Sequence, residues 1–316
     1  MKKYFILAAA ALAMVACSND ESENNAVAQS EVISFTAGMA NDGVTRAAVD
    51  IQGAAFATDE LVNIEVTPSA TGTMASKVYK AGAASGNVNA LTPNTGVTAF
   101  TWPATGTVKI EAFYPSTVTS DATTFSVETD QSGDVNYKKS DLMYSTSIAA
   151  QAKQATAVGL TFNHALTKII VKLVPGNGIT IANLKAATTT VELSAKKTVT
   201  KEASALWSTA AASGDATTII AGSTAATADD ATVTTGAAAI IVPQTYAANA
   251  DFITVKTAND DQHKVTFKLS EAKTFEAGKC YTYKLTVGLA GISLESTTIT
   301  NWDEQTAITP EDPVII

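Results

Sequence analysis

The sequence is poor in charged residues, cysteine and histidine. Charged residues occupy 16% of the 316 positions, and the formal net charge is −9 at pH 7. A chain of this kind offers no basic surface for the phosphates of a nucleic acid, so binding to nucleic acid is not expected. The only cysteines are Cys17 and Cys280. Because Cys17 falls in a lipidation motif described below, we expect no intramolecular disulfide, and stability must come from packing.

Motifs that carry catalysis are also missing. The sequence contains no GxSxG, no HExxH, no phosphate-binding glycine loop and no EF-hand pattern. The two histidines, His164 and His263, stand beside apolar strand residues, where a hydrogen-bonded structural histidine is expected. Cys280 alternates with apolar residues on a predicted strand, and we interpret it as structural. The sequence therefore predicts a protein that is not an enzyme and that has no cofactor and no metal site.

No long hydrophobic run is present, but a short one opens the chain. The stretch "MKKYFILAAAALAMVAC" has two lysines, then apolar residues 4–16, then Cys17. This run is shorter than the roughly 20 residues that cross a bilayer, and its flanks are typical of an export signal. The residues "MVAC" resemble a lipobox, in which cleavage precedes a cysteine that then receives lipid. We predict a signal peptide over 1–16 and lipidation at Cys17; the alternative is a plain secretory signal with an incidental cysteine.

The rest of the chain is dominated by alternation of apolar and polar residues. After a polar spacer at 17–30, "EVISFTA" places Ile33, Phe35 and Ala37 on one face of a strand over 31–37. Two further alternating stretches, 252–257 and 263–269, are joined by a polar turn and predict a β-hairpin. Helical stretches are few, and the best candidates lie near 147–156 and 203–212. The low-complexity residues 208–239 predict a long surface excursion.

Many short strands with Gly and Pro turns favour β-sandwiches over alternating α/β units. The length after the spacer fits two sandwiches better than one. We predict an all-β protein with an N-terminal sandwich over 31–153, a C-terminal sandwich over 154–303 and a tail over 304–316, the boundary lying near "STSIAAQAKQATAVG".

Four stretches, taken in order, resemble a known family. They are "DLMYSTS", "VGLTFNHALTKIIVKL", "FEAGKCYTYKLTV" and "ITNW". Together with the lipoprotein signal and the early "VTRA", they are similar to the fimbrillin (Mfa-like) family, the subunits of type V pili. The resemblance implies two tandem transthyretin-like β-sandwiches, in agreement with the fold class argued from the strand pattern.

The resemblance also implies a maturation step. Members are exported as lipoproteins to the outer membrane and cut after an arginine by an arginine-specific, gingipain-type protease. The cut releases the first strand, and a donor strand from a neighbouring subunit fills the groove. Carried over, Arg46 is the cleaved residue, Ala47 the new N-terminus, and the strand Glu31 to Ala37 the one displaced. The alternative is an ordinary exposed arginine that nothing cleaves.

The source of the donor strand is left open by the sequence. Beyond Trp302 the residues are "DEQTAITPEDPVII", and Pro310 and Pro313 cannot donate ladder hydrogen bonds. Either "GISLESTTITNW" and the apolar end form a donor, as in a stalk or anchor subunit, or the chain only accepts a donor, as a tip subunit would.

A second function class stays open beside the pilus subunit. A cell-surface lipoprotein could bind glycans by stacking sugar rings on tryptophan. Trp102 and Trp302 lie in stretches that alternate like core strands, so Trp207 is predicted to be the freest aromatic.

Overall fold

The protein is nearly all β. The structure is a computed structural model that describes residues 31–40, 55–203, 205–224, 235–257 and 263–302. No helix in these ranges is long and apolar enough to cross a membrane. The helices there are α1 (Asp134–Lys139), α2 (Ile181–Lys185) and a 3-10 turn (Trp207–Thr209).

The first sheet closes on itself. Its eight strands, in spatial order, are β2 (Leu61–Pro68), β3 (Ala75–Ser85), β4 (Val88–Pro93), β1 (Phe35–Met39), β9 (Val158–His164), β7 (Met143–Ser145), β5 (Val108–Tyr114) and β8 (Ile148–Gln151). Strand β2 also pairs with β5, so seven of these strands form a closed ring of pairings. Alternate side chains of the strands point inward and form one hydrophobic cluster, here called the first core.

Two further sheets enclose a second core. One runs β13 (Gly222–Thr224), β14 (Thr235–Ile241), β10 (Thr167–Pro175), β19 (Lys279–Gly288) and β20 (Gly291–Asn301). The other runs β12 (Ala211–Ile220), β11 (Thr190–Thr200), β16 (Asp251–Lys256) and β17 (Lys264–Lys268), with β6 (Thr124–Ser126) also on β11. A small pair, β15 (Gln244–Tyr246) and β18 (Lys273–Phe275), completes the strands described.

The chain passes between the two cores more than once. Strand β9, at 158–164, lies in the first sheet, whereas Val118, Val127 and Tyr137 pack in the second core. Residues on both sides of position 153 thus contribute to each core, and the predicted domain boundary at 153 and 154 stays a prediction. The hairpin of β16 and β17 is confirmed.

Both predicted helical stretches are wrong. Residues 148–151 form β8 on the edge of β5, and the described residues of 203–212 hold only the single 3-10 turn before β12. Pairing with a neighbouring strand overrides a weak alanine preference for helix.

The surface excursion predicted for 208–239 is also wrong where the structure describes it. Strand β12 pairs with β11, and β14 lies between β13 and β10 with Ala237 to Ile241 buried. Small alanine side chains fit an interior strand that is covered on both faces.

Candidate functional site

From residue 32 to residue 40 the first described segment alternates strictly between buried and outward-facing residues. Ile33, Phe35, Ala37 and Met39 are 1%, 2%, 0% and 7% exposed, and all four belong to the first core. Val32, on the other face, is 42% exposed. The three residues that the sequence assigns to the inner face thus lie inside, and the inner row continues to Met39.

Strand β1 is an interior strand, hydrogen-bonded on both sides. It pairs antiparallel with β4, where Phe35 faces Leu91, and parallel with β9, where Phe35 faces Val158. The pairing extends beyond the strand itself: Ile33 N donates to Phe100 O at 2.8 Å, and Ala40 N donates to Phe162 O at 2.8 Å. The segment therefore fills a slot between two strands that do not pair with each other.

An aromatic pocket receives Phe35. Its ring meets Tyr79 edge-on at 5.4 Å and Phe100 edge-on at 6.3 Å, and these two rings stack on each other at 5.9 Å. The Tyr79 hydroxyl accepts a hydrogen bond from Phe100 N at 3.0 Å. Burial raises the pKa of the Tyr79 hydroxyl above its ordinary value, and this hydrogen bond offsets part of the rise. The pocket is thus both apolar and fixed in shape.

A polar clamp lies next to Ala37. Asn89 of β4 is directly opposite Ala37 and is fully buried. Its side-chain amide accepts from Phe56 N at 2.9 Å and donates to Phe56 O at 3.0 Å and Gly82 O at 2.8 Å. The Phe56 ring packs against Tyr114 at 5.5 Å and Phe162 at 5.0 Å. Sequence analysis missed this clamp, although an asparagine at an inward position of a strand is a signal for one.

The processing residues predicted from the sequence cannot be placed. Cys17, Arg46 and Ala47 lie outside the described residues, as do Pro310 and Pro313 of the tail. On either side of Arg46, the described residues end at 40 and resume at 55.

The tryptophan prediction is partly wrong. Trp102 and Trp302 are buried as expected, at 5% and 6% exposure, but Trp207 is also buried, at 2%. Lys201 Nζ lies over the Trp207 ring, and Phe125 packs against its edge, because the 3-10 turn directs the ring into the second core. None of the three indoles is presented to a sugar.

Two residues that the sequence predicts to be structural, His164 and Cys280, are both buried. His164 Nδ1 lies 2.8 Å from Asp141 Oδ1, and the imidazole stacks on Trp302 at 4.0 Å. Cys280 is buried and forms no disulfide within the described residues. Within the described ranges, no group of three or more His, Cys, Asp or Glu side chains could hold a metal ion.

The architecture places the protein in a class of all-β proteins with solved structures. It is similar to a candidate cell adhesion protein of Bacteroides uniformis, with a TM-score of 0.61 and 18% identity over 86% of this chain and 98% of that one. A second, from Bacteroides ovatus, gives a TM-score of 0.58 and 17% identity over 92% and 99%. A third, from Bacteroides fragilis, gives 0.53 and 14% over 85% and 97%. At these identities the likeness shows a shared fold.

The sequence itself identifies the family. Residues 45–302 match the Fimbrillin-like family. The chain therefore belongs to the fimbrillin-like family, which confirms the resemblance found in its motifs. No curated protein matches the sequence.

Proposed function

We propose that the chain is a structural subunit of a fimbrium at the cell surface, assembled by exchange of its first strand. The precursor is exported as a lipoprotein anchored in the outer membrane through Cys17. An arginine-specific protease cuts between Arg46 and Ala47. The segment containing β1 then leaves, and a strand from another fimbrial subunit takes its place.

The observation that carries this proposal is the position of the segment 31–40. It precedes Arg46 in the chain, yet it is an interior strand hydrogen-bonded to both β4 and β9. Its loss would leave two rows of unpaired backbone groups beside an apolar slot. Unpaired strand edges of this kind favour addition of another strand.

The expected free energies favour a slot filled by a replacement strand over an empty slot. Burial of Ile33 and Phe35 contributes roughly 3 to 6 kcal/mol, and each ladder hydrogen bond adds about 1 kcal/mol. A whole domain is stable by only about 5 to 15 kcal/mol. A first core without this strand would be close to unfolding, so a replacement strand is strongly favoured and no nucleotide is needed to drive assembly.

The sequence also indicates how many sites an arginine-specific protease could cut. Arg46 is the only arginine of the chain; the other basic residues are all lysine. An arginine-specific protease can therefore make a single cut and leave the remaining chain whole. The family match begins at residue 45, beside this site.

The test compares wild-type protein with Arg46→Lys in the cell that normally produces it. The lysine keeps the charge and removes the cleavage site. We expect wild-type chains in surface fibres to begin at Ala47, and the Arg46→Lys chain to stay monomeric and membrane-bound. N-terminal sequencing and gel ladders in mild detergent measure both. Fibres formed by Arg46→Lys, or wild-type fibres whose chains still begin at Cys17, would remove the proposal.

The glycan-binding alternative loses its main support because Trp207 is buried. A glycan array with the uncut protein checks it directly.

A further inference from the structure

We propose that the slot left by β1 selects its donor strand by side-chain size at two neighbouring inward positions. The donor must place an aromatic or similarly large apolar residue where Phe35 lies, and a small residue, alanine or glycine, where Ala37 lies. This inference rests on the proposed strand exchange and specifies the chemistry of the partner.

The position for the large donor residue is defined by aromatic rings in the part of the chain that remains after the cut. Tyr79 and Phe100 both contact Phe35 and also stack on each other, so a donor residue in the place of Phe35 would meet the same two rings. Lys77 Nζ lies 4.6 Å from the centre of the Phe100 ring and donates to Thr98 O at 3.0 Å and Ala99 O at 3.0 Å, which holds this side of the pocket in place. A small donor residue here would leave a cavity of the size of a ring, and such cavities are costly.

The small position is defined by the Asn89 clamp. Residues directly opposite in an antiparallel pair share a face of the sheet, so the Asn89 side chain lies beside the Cβ of Ala37. Both amide hydrogens of Asn89 and its oxygen are engaged with the backbone of Phe56 and Gly82. The amide cannot turn aside for a larger donor residue without leaving buried polar groups unpaired. On the other side Ala37 faces Leu160, which is 2% exposed and packed in the same core.

The sequence of residues 303–316 does not carry this pattern. In "DEQTAITPEDPVII" no aromatic residue is present, and no large apolar residue is followed two positions later by another and four positions later by alanine or glycine, in either direction. We therefore expect a peptide of residues 303–316 not to enter the slot.

The experiment measures uptake of labelled peptides by the cut protein. Wild-type protein is cut once at Arg46 with an arginine-specific protease, the cut segment is removed, and fluorescent peptides are titrated in while anisotropy is read. The reference peptide has the sequence of residues 31–40. The variants are Ala37→Leu and Phe35→Ala at inward positions and, as the matched control, Ser34→Leu at an exposed outward position. A peptide of residues 303–316 is the fifth probe.

We expect the reference and Ser34→Leu peptides to bind with similar affinity. Ala37→Leu and Phe35→Ala should each bind at least about tenfold more weakly, which is about 1.4 kcal/mol, and 303–316 should not bind. Ala37→Leu binding as well as Ser34→Leu would overturn the size rule while strand exchange stands, and so would uptake of 303–316 at the reference affinity. Failure of every peptide, the reference included, after a verified cut would overturn strand exchange itself.

A measurement on the uncut chain checks the same rule without any exchange. Introduced into the full-length protein, Ala37→Leu should lower the unfolding temperature, and Ser34→Leu should leave it almost unchanged. Equal unfolding temperatures for the two variants would show that the position opposite Asn89 has room, and would overturn the rule.

Discussion

At the scale of single residues, the clearest contrast in the candidate site lies between Phe35 and Val32. They are three positions apart on the same segment, but Phe35 is 2% exposed between aromatic rings and Val32 is 42% exposed on the outer face. The period of two along a strand separates them. Only the inward residue can contribute much to the stability of the uncut chain.

Substitution of these two residues should therefore give very different results. Phe35→Ala should lower the free energy of unfolding of the uncut protein by about 3 to 5 kcal/mol, because it removes a packed ring and leaves a cavity. Val32→Ala should change it by no more than about 0.5 kcal/mol. Urea unfolding of the two variants measures both, and comparable losses would mean that the segment is not packed as described.

At the scale of secondary-structure elements, β1 matters because of where it lies in its sheet. It lies between β4 and β9 and pairs with both, and these two strands do not pair with each other. One of its pairings is parallel and the other antiparallel. An edge strand could leave with the loss of one ladder, whereas this strand leaves two ladders open.

Hydrogen exchange should report this difference. In the uncut chain Val158 N donates to Ser34 O, and Trp102 N donates to Glu31 O, both at 2.8 Å. We expect faster amide exchange in β4, β9 and residues 100–102 after the cut segment has been removed. Strands β10 and β19, paired with each other in the second core, are the internal control. Mass spectrometry of peptic fragments resolves these regions, and unchanged exchange in β9 would contradict the position given to β1.

At the scale of the whole molecule, the two cores meet at a polar junction. His164 ends β9 of the first sheet, bonds to Asp141 and stacks on Trp302 at the end of β20. Gly278 N donates to Leu166 O, and Trp302 N donates to Gly278 O, which extends the junction into the second core. The strand that would receive the donor is therefore connected by direct contacts to the residue that precedes the tail.

The anchoring proposed for the whole chain depends on one residue, Cys17, which lies outside the described residues. If the precursor is lipidated at Cys17, Cys17→Ser should abolish palmitate labelling and release the protein from the membrane fraction. Cys280→Ser is the matched control, because that thiol is buried and should receive no lipid. Palmitate labelling that persists in Cys17→Ser would exclude this anchor.

Much of the fold could be predicted from the sequence because strand alternation is a local property. The inward positions of Ile33, Phe35 and Ala37, the hairpin of β16 and β17 and the all-β class all follow from a period of two, and the family follows from ordered motifs. The local pattern gave wrong predictions where tertiary pairing decided the structure. The alanine-rich stretch at 235–241 is an interior strand rather than a surface excursion, and Trp207 is buried rather than exposed.

What only the tertiary structure decided is which strands pair. Alternation along β1 says which side chains point inward, but any strand with a similar alternation could lie beside it. The pairings of β1 with β4 and β9 join residues that lie 50 to 123 positions apart along the chain. The size of the slot is set by Phe56, Tyr79, Asn89 and Phe100, which come from four separate stretches. Such contacts are non-local, and no short window of sequence contains both sides of them. The sequence therefore determined the inward face of the first strand, and the fold determined that it is an interior strand in a slot of defined shape.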